Sequence, residues 1–199
     1  TYYGGTVRWA ATVFPQVTTI EASQEIHAKT SERLRELTNI TFLQGDSRTV
    51  LAKLLPTLTS PAIFWLDSHW SGENTFGAED ECPLAEELRL IASSPLAHAV
   101  LIDDARLFVA PPPEPHRAEQ WPTIDEVMNL LTTKKEKPFI VIVDDVIVAV
   151  PMQTRTIVQE YCRTVNKQIW REHAESLKHI HRFDWARKIK YKIQKALSR

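Results

Sequence analysis

Four short apolar runs, at residues 17–20, 40–43, 62–66 and 99–102, are β-branched or aromatic-rich, end near an acidic residue and read as strands. Helical patterns lie between them. Residues 23–37 place Ile26, Leu34 and Leu37 on one side. Ser47 is set to cap a helix carrying Val50, Leu51, Leu54 and Leu55 that Pro56 stops, and Pro83 suits the first helical position before Leu84, Leu88 and Ile91. Strand and helix alternate, which calls for a parallel sheet with helices on both faces.

The rhythm changes after the fourth strand. Residues 110–122 contain Pro111, Pro112, Pro113, Pro115 and Pro122 and form a stiff loop rather than a helix. Thr123-Ile124-Asp125-Glu126 has the spacing of a capping box opening a helix with Val127, Leu130 and Leu131. Two apolar runs, Phe139–Val143 and Val146–Val150, flank Asp144-Asp145 and predict an antiparallel hairpin that closes the sheet. From Thr156 to Leu197 the pattern is mostly helical.

Composition adds an asymmetry. The formal net charge is -1, yet residues 151–199 hold 12 of the 24 Lys and Arg and only 4 of the 25 Asp and Glu, a net +8. The expected division is therefore residues 1–150 as an acidic α/β domain and 151–199 as a basic helical extension. In that extension Tyr161, Trp170, Phe183, Trp185 and Tyr191 interleave with Lys and Arg. Such a surface suits a membrane, an acidic partner, nucleic acid or a dimer mate, with helix packing against the domain as the default and nucleic acid the least favoured. No apolar run is long enough to span a bilayer, and no signal-peptide pattern opens the chain, so a cytoplasmic address is expected. Cys82 and Cys162 have no zinc-type spacing with His and read as free thiols.

Acidic residues stand where the strands end: Glu21, Asp46 in Gln44-Gly45-Asp46-Ser47, Asp67 in Asp67-Ser68-His69-Trp70, and Asp103-Asp104 before Arg106. Each alone also reads as a turn acid or helix-start acid. Adjacent parallel strands would bring Asp67, Asp103 and Asp104 together. Two carboxylates about 4 Å apart repel by roughly 4 kcal/mol at an effective dielectric of about 20, so three need a cation, protons or separation. His69, on the same rim, is the candidate general base or else a hydrogen-bonded loop histidine. Arg106 is open between an anionic substrate group and a bridge to Asp103 or Glu87.

This order of parts resembles the class I S-adenosylmethionine-dependent methyltransferases over roughly residues 1–150. The resemblance implies a Rossmann-like, doubly wound, mostly parallel sheet with the C-terminal hairpin. It implies a central first strand ending in an acidic-x-Gly turn, which is missing here. Such a strand would contribute on the order of 10 kcal/mol of burial, so a partial sequence is expected. Thr1, Tyr2, Gly4 and Gly5 then stand in the cofactor loop, with residues 6–14 as the helix after it. Glu21 binds ribose hydroxyls, Asp46 and Ser47 lie on the adenine side, and Asp67 lines the methyl-donor side.

The metal-dependent O-methyltransferases are the nearest site pattern. There Asp67, Asp103 and Asp104 match the ligands of magnesium, leaving coordination sites for substrate oxygens. The implied activity is O-methylation of a small-molecule or glycan hydroxyl, with His69 and Asp67 at the reacting end and homo-oligomerisation an open matter. A nucleotide-sugar or nicotinamide enzyme, suggested by Asp67-Ser68-His69, and a non-catalytic binding module are the alternative readings. Residues 71–83, with Gly72 and Gly77, and residues 110–122 leave the same rim and are expected to shape substrate entry, with Trp70, Phe76 and Trp121 either stacking on an acceptor or packing and with Phe64 and Trp65 in the core.

Overall fold

The hairpin forms where the pattern places it. In the computed structural model, which describes residues 1–70, 77 and 80–197, β5 (Phe139–Val143) pairs antiparallel with β6 (Val146–Val150) from Phe139↔Val150 to Val143↔Val146. Asp144 and Asp145 both take positive φ, 49° and 63°, the backbone that a two-residue turn needs to match strand twist. The other strands are β1 (Val17–Glu21), β2 (Ile40–Gln44), β3 (Ile63–Leu66) and β4 (Ala99–Ile102).

The helices are α1 (Gly5–Val13), α2 (Gln24–Arg33), α3 (Ser47–Leu54), α4 (Leu84–Ser93), α5 (Arg106–Val109), α6 (Ile124–Leu131) and α7 (Arg155–Leu197). Local chemistry sets their ends. Ser23 Oγ accepts the Ile26 N–H at the start of α2, which ends before Leu34 rather than reaching Leu37. Asp46, not Ser47, caps α3, because its carboxylate lies where it accepts the N–H groups of Arg48 and Thr49. Pro83 is the residue before α4 rather than its first, and the Thr123–Glu126 capping box opens α6, with Thr123 N–H donating to Glu126 at 2.8 Å. The proline-rich loop contains one 3₁₀ turn, Ala118–Gln120.

The single sheet expected from the sequence is divided. β1 and β2 pair in parallel, β3–β4–β6–β5 form a second sheet, and no ladder joins β1 to β3 among the described residues. The second sheet holds one parallel pairing and two antiparallel ones. It is covered chiefly on one face, not on both. Phe64, Leu66, Val100, Ile102, Ile147 and Ala149 share that face and belong to the core with Leu88, Ile91, Phe108 and Val127. On the other face Ile63 and Trp65 are 56% and 44% exposed, so Trp65 is not the core residue that its apolar run suggests.

The chain folds as two units, Thr1–Met152 and Gln153–Arg199. In the second, α7 runs for 43 residues with Tyr161, Trp170 and Tyr191 exposed along it. No described helix is long and apolar enough to cross a membrane. Cys82 and Cys162 are free thiols.

Candidate active site

Strand register brings the acidic ends of β3 and β4 side by side. Leu66 pairs with Ile102, the last residue of each strand, and Asp103 N–H donates to the Leu66 carbonyl at 3.0 Å, so the next residues on both chains leave the sheet together. Asp67, His69 and Asp104 converge there, each offering one ligand atom within 4.8 Å of the others. His69 Nε2 lies 2.9 Å from Asp104 Oδ2 and 3.4 Å from Asp67 Oδ1. Burial pushes the Asp67 carboxyl above its usual range, and the Asp103 and Asp104 charges add to that while His69 opposes it. The Asp67 side chain is still 49% open to solvent, so it lines a recess in the surface rather than the interior.

Asp103 takes a different part. Its carboxylate accepts the N–H of Asp104 at 2.9 Å, which helps to hold Asp104 at φ 54°. The grouping with ligand spacing is thus Asp67, His69 and Asp104, where the sequence pattern names Asp67, Asp103 and Asp104. Arg106 bridges neither Asp103 nor Glu87. It pairs with Asp104 Oδ1 at 2.8 Å and with Asp145 in the hairpin turn, tying the site to β5–β6.

The segment from Thr1 to Gly5 packs against the ends of β1 and α2. Glu21 accepts the N–H of Tyr2 at 2.9 Å and of Ser23 at 3.0 Å, Thr1 Oγ1 donates to the Ile20 carbonyl, and Thr30 Oγ1 donates to the Tyr2 carbonyl. The Thr1 nitrogen lies 3.6 Å from Glu21 and on the side of Asp67, which puts the loop, Glu21 and Asp67 on one rim. Gly4 has φ 71°, and a Cβ there would lie 2.8 Å from Thr30 Cγ2 and 2.9 Å from Leu34 Cδ1. Gly4→Ala is expected to cost about 3 kcal/mol from left-handed strain and overpacking. Gly5→Ala, with open space around its Cβ, should be near neutral, and urea midpoints of the two variants check both expectations.

Asp46 is held by Arg48, whose hydrogen bonds keep its carboxyl below the usual range against the effect of burial. Ser47, beside it, acts with Ser68 on Glu87, and Ser68 Oγ donates to Glu87 at 2.6 Å. Glu87, on α4, is 1% exposed and burial raises its pKa, so the Ser68 contact ties the residues after β3 to α4 through a buried acid whose Oε2 has no hydrogen-bond partner among the described residues. The motif reading does not single out Glu87, because in the sequence it is one of two successive glutamates on a helix.

A second buried carboxylate fastens the two rim segments. Glu81, 1% exposed, accepts the Trp121 indole N–H at 2.9 Å and the Arg117 N–H at 3.1 Å, with His116 Nδ1 at 3.3 Å. Burial works to raise its pKa, but these donors outweigh it and the net direction is down. Trp121 is buried and packs on His69 and Phe108, which assigns it to packing. Trp70 meets His116 edge-on. No motif signals Glu81, because its partners lie some 40 residues away. Gly72 and Phe76 lie outside the described residues.

The α/β unit carries a hairpin after β4 and acids at the ends of β1, β2, β3 and β4. Over about three quarters of its length the chain is structurally similar to S-adenosylmethionine-dependent methyltransferases. The O-methyltransferase TomG of Streptomyces achromogenes, involved in tomaymycin synthesis and solved with S-adenosylmethionine, superposes with a TM-score of 0.53 at 15% identity, covering 75% of this chain and 69% of its own. SMU.1697c of Streptococcus mutans, described as a putative methyltransferase and solved with S-adenosylhomocysteine, gives 0.50 at 12% identity over 76% and 84%. At these identities the likeness is one of fold. No known family and no curated protein matches the chain by sequence.

Proposed function

We propose that the protein is an S-adenosylmethionine-dependent methyltransferase acting on a hydroxyl of a small molecule or sugar. The observation that carries this reading is the convergence of Asp67, His69 and Asp104 on the rim that also holds the Thr1–Gly5 loop and Glu21. Thr1, Tyr2, Gly4, Gly5 and Glu21 would hold the methionine and ribose parts of the cofactor, and Asp46 and Ser47 its adenine side. Bound there, S-adenosylmethionine supplies a methyl group on a sulfonium sulfur. Asp67 would take the proton of an acceptor hydroxyl brought up beside it. A carboxyl of raised pKa that is open to solvent suits that proton transfer. His69, held by Asp104, keeps Asp67 in place.

The same three side chains fit a divalent cation, since two carboxylates and an imidazole lie within ligand spacing and the like charges favour a positive partner. With an imidazole in the set, zinc, iron or manganese would fit better than magnesium, which favours oxygen ligands alone. A bound cation would lower the acceptor hydroxyl's pKa. The test is transfer of a labelled methyl group to pooled hydroxyl acceptors with and without divalent cations. Transfer that depends on Asp104 supports the reading, and a folded protein that transfers to none of them opposes it.

A further inference from the structure

The last described stretch of α7 has a composition unlike the rest of the chain. Residues 185–197 contain Arg187, Lys188, Lys190, Lys192 and Lys195 and no Asp or Glu. Ile189 and Ile193, one turn apart, are 36% and 54% exposed, and Arg187, Lys188, Lys190 and Lys192 are exposed around them. In the sequence Trp185 and Leu197 continue the same four-residue spacing by one step each way. At about 100° per residue Ile189 and Ile193 lie roughly 40° apart, with Lys190 and Lys192 roughly 60° beyond them on either side and Arg187 and Lys188 farther round.

An apolar stripe bordered by lysines is the pattern of a helix lying in a membrane interface. A second copy would set five cations against five. A nucleic-acid phosphate backbone would use the cations and leave Ile189 and Ile193 in water. An anionic phospholipid surface uses both, headgroups for the cations and the acyl boundary for the isoleucines. With no described helix long and apolar enough to cross a membrane, the helix would lie on the surface. We infer that residues 185–197 of α7 bind an anionic phospholipid surface, independently of the methyl-transfer reading.

Co-sedimentation of the full chain with phosphatidylcholine vesicles, and with vesicles containing roughly one-third phosphatidylserine, tests this. Binding is expected to the second only and to weaken with salt. Lys190→Gln with Lys192→Gln should weaken it about 25-fold, roughly fivefold for each cation removed. Ile189→Ser with Ile193→Ser should abolish it, whereas Ile157→Ser, at an exposed position outside the stretch, should leave it unchanged. Circular dichroism checks that each variant keeps its helix. Three results would overturn the inference: equal binding to both vesicles, binding to neither, or tight binding to duplex DNA that the isoleucine pair does not affect.

Discussion

Asp104→Asn is expected to lower methyl transfer about 10²- to 10³-fold, with the KM for S-adenosylmethionine nearly unchanged. Asp104 faces His69 and Arg106, not the Thr1–Gly5 loop, and Asn tolerates its positive φ, so the fold should survive. What is lost is the anion that holds His69 against Asp67. Asp103→Asn is the informative control, because an amide oxygen can still accept the Asp104 N–H that the Asp103 carboxylate now accepts. A small effect there and a large one at Asp104 would assign the chemistry to Asp67, His69 and Asp104. Equal losses would return it to the trio named by the sequence pattern. Steady-state kinetics on both variants separates the two.

Glu81→Gln should destabilise the protein by about 2 kcal/mol near neutral pH and by little in acid. The folded pKa of Glu81 is lowered, so its contribution is present above the unfolded carboxylate value of about 4.3 and is lost as pH falls through the folded value. A glutamine puts a donor where the Trp121, Arg117 and His116 groups already crowd one acceptor. The carboxylate lies under a thin cover of protein, and solvent screening argues for the lower part of the usual 1–3 kcal/mol range. Urea midpoints between pH 3 and 8, about one unit apart, should show wild type and variant converging at the acid end. Parallel curves across that range would mean that the Glu81 charge does not tie the two segments.

The hairpin, the capping box and the four strand ends were legible in the sequence because each rests on local spacing. Asp144-Asp145 between two β-branched runs leaves little choice of turn, and an acid at the end of an apolar run is visible without tertiary information. Packing depends on partners distant in the chain, and there the reading fell short. Trp65 looks buried from its neighbours, but exposure depends on which face of β3 the helices cover. The division into two sheets depends on whether β1 and β3 share a ladder, and neither strand's own sequence encodes that. In the site, the rim positions of Asp67, His69 and the Asp103-Asp104 pair follow from strand order. The choice of Asp104 over Asp103 as the partner of His69 depends on backbone dihedrals just past β4. Glu81 and Glu87 were invisible for a related reason, since a buried acid is defined by the donors around it.

In the proposed function the rim built by the Thr1–Gly5 loop, Glu21 and Asp67 holds S-adenosylmethionine. Calorimetric titration of S-adenosylmethionine into the protein and into its Glu21→Gln variant tests it most directly. Two hydroxyl–carboxylate hydrogen bonds, each worth about 1.5–3 kcal/mol, should make the variant on the order of 10²- to 10⁴-fold weaker. Saturable one-to-one binding with that loss is the predicted result. A folded protein that takes up no S-adenosylmethionine, or that binds it equally well with Gln at position 21, would contradict the account.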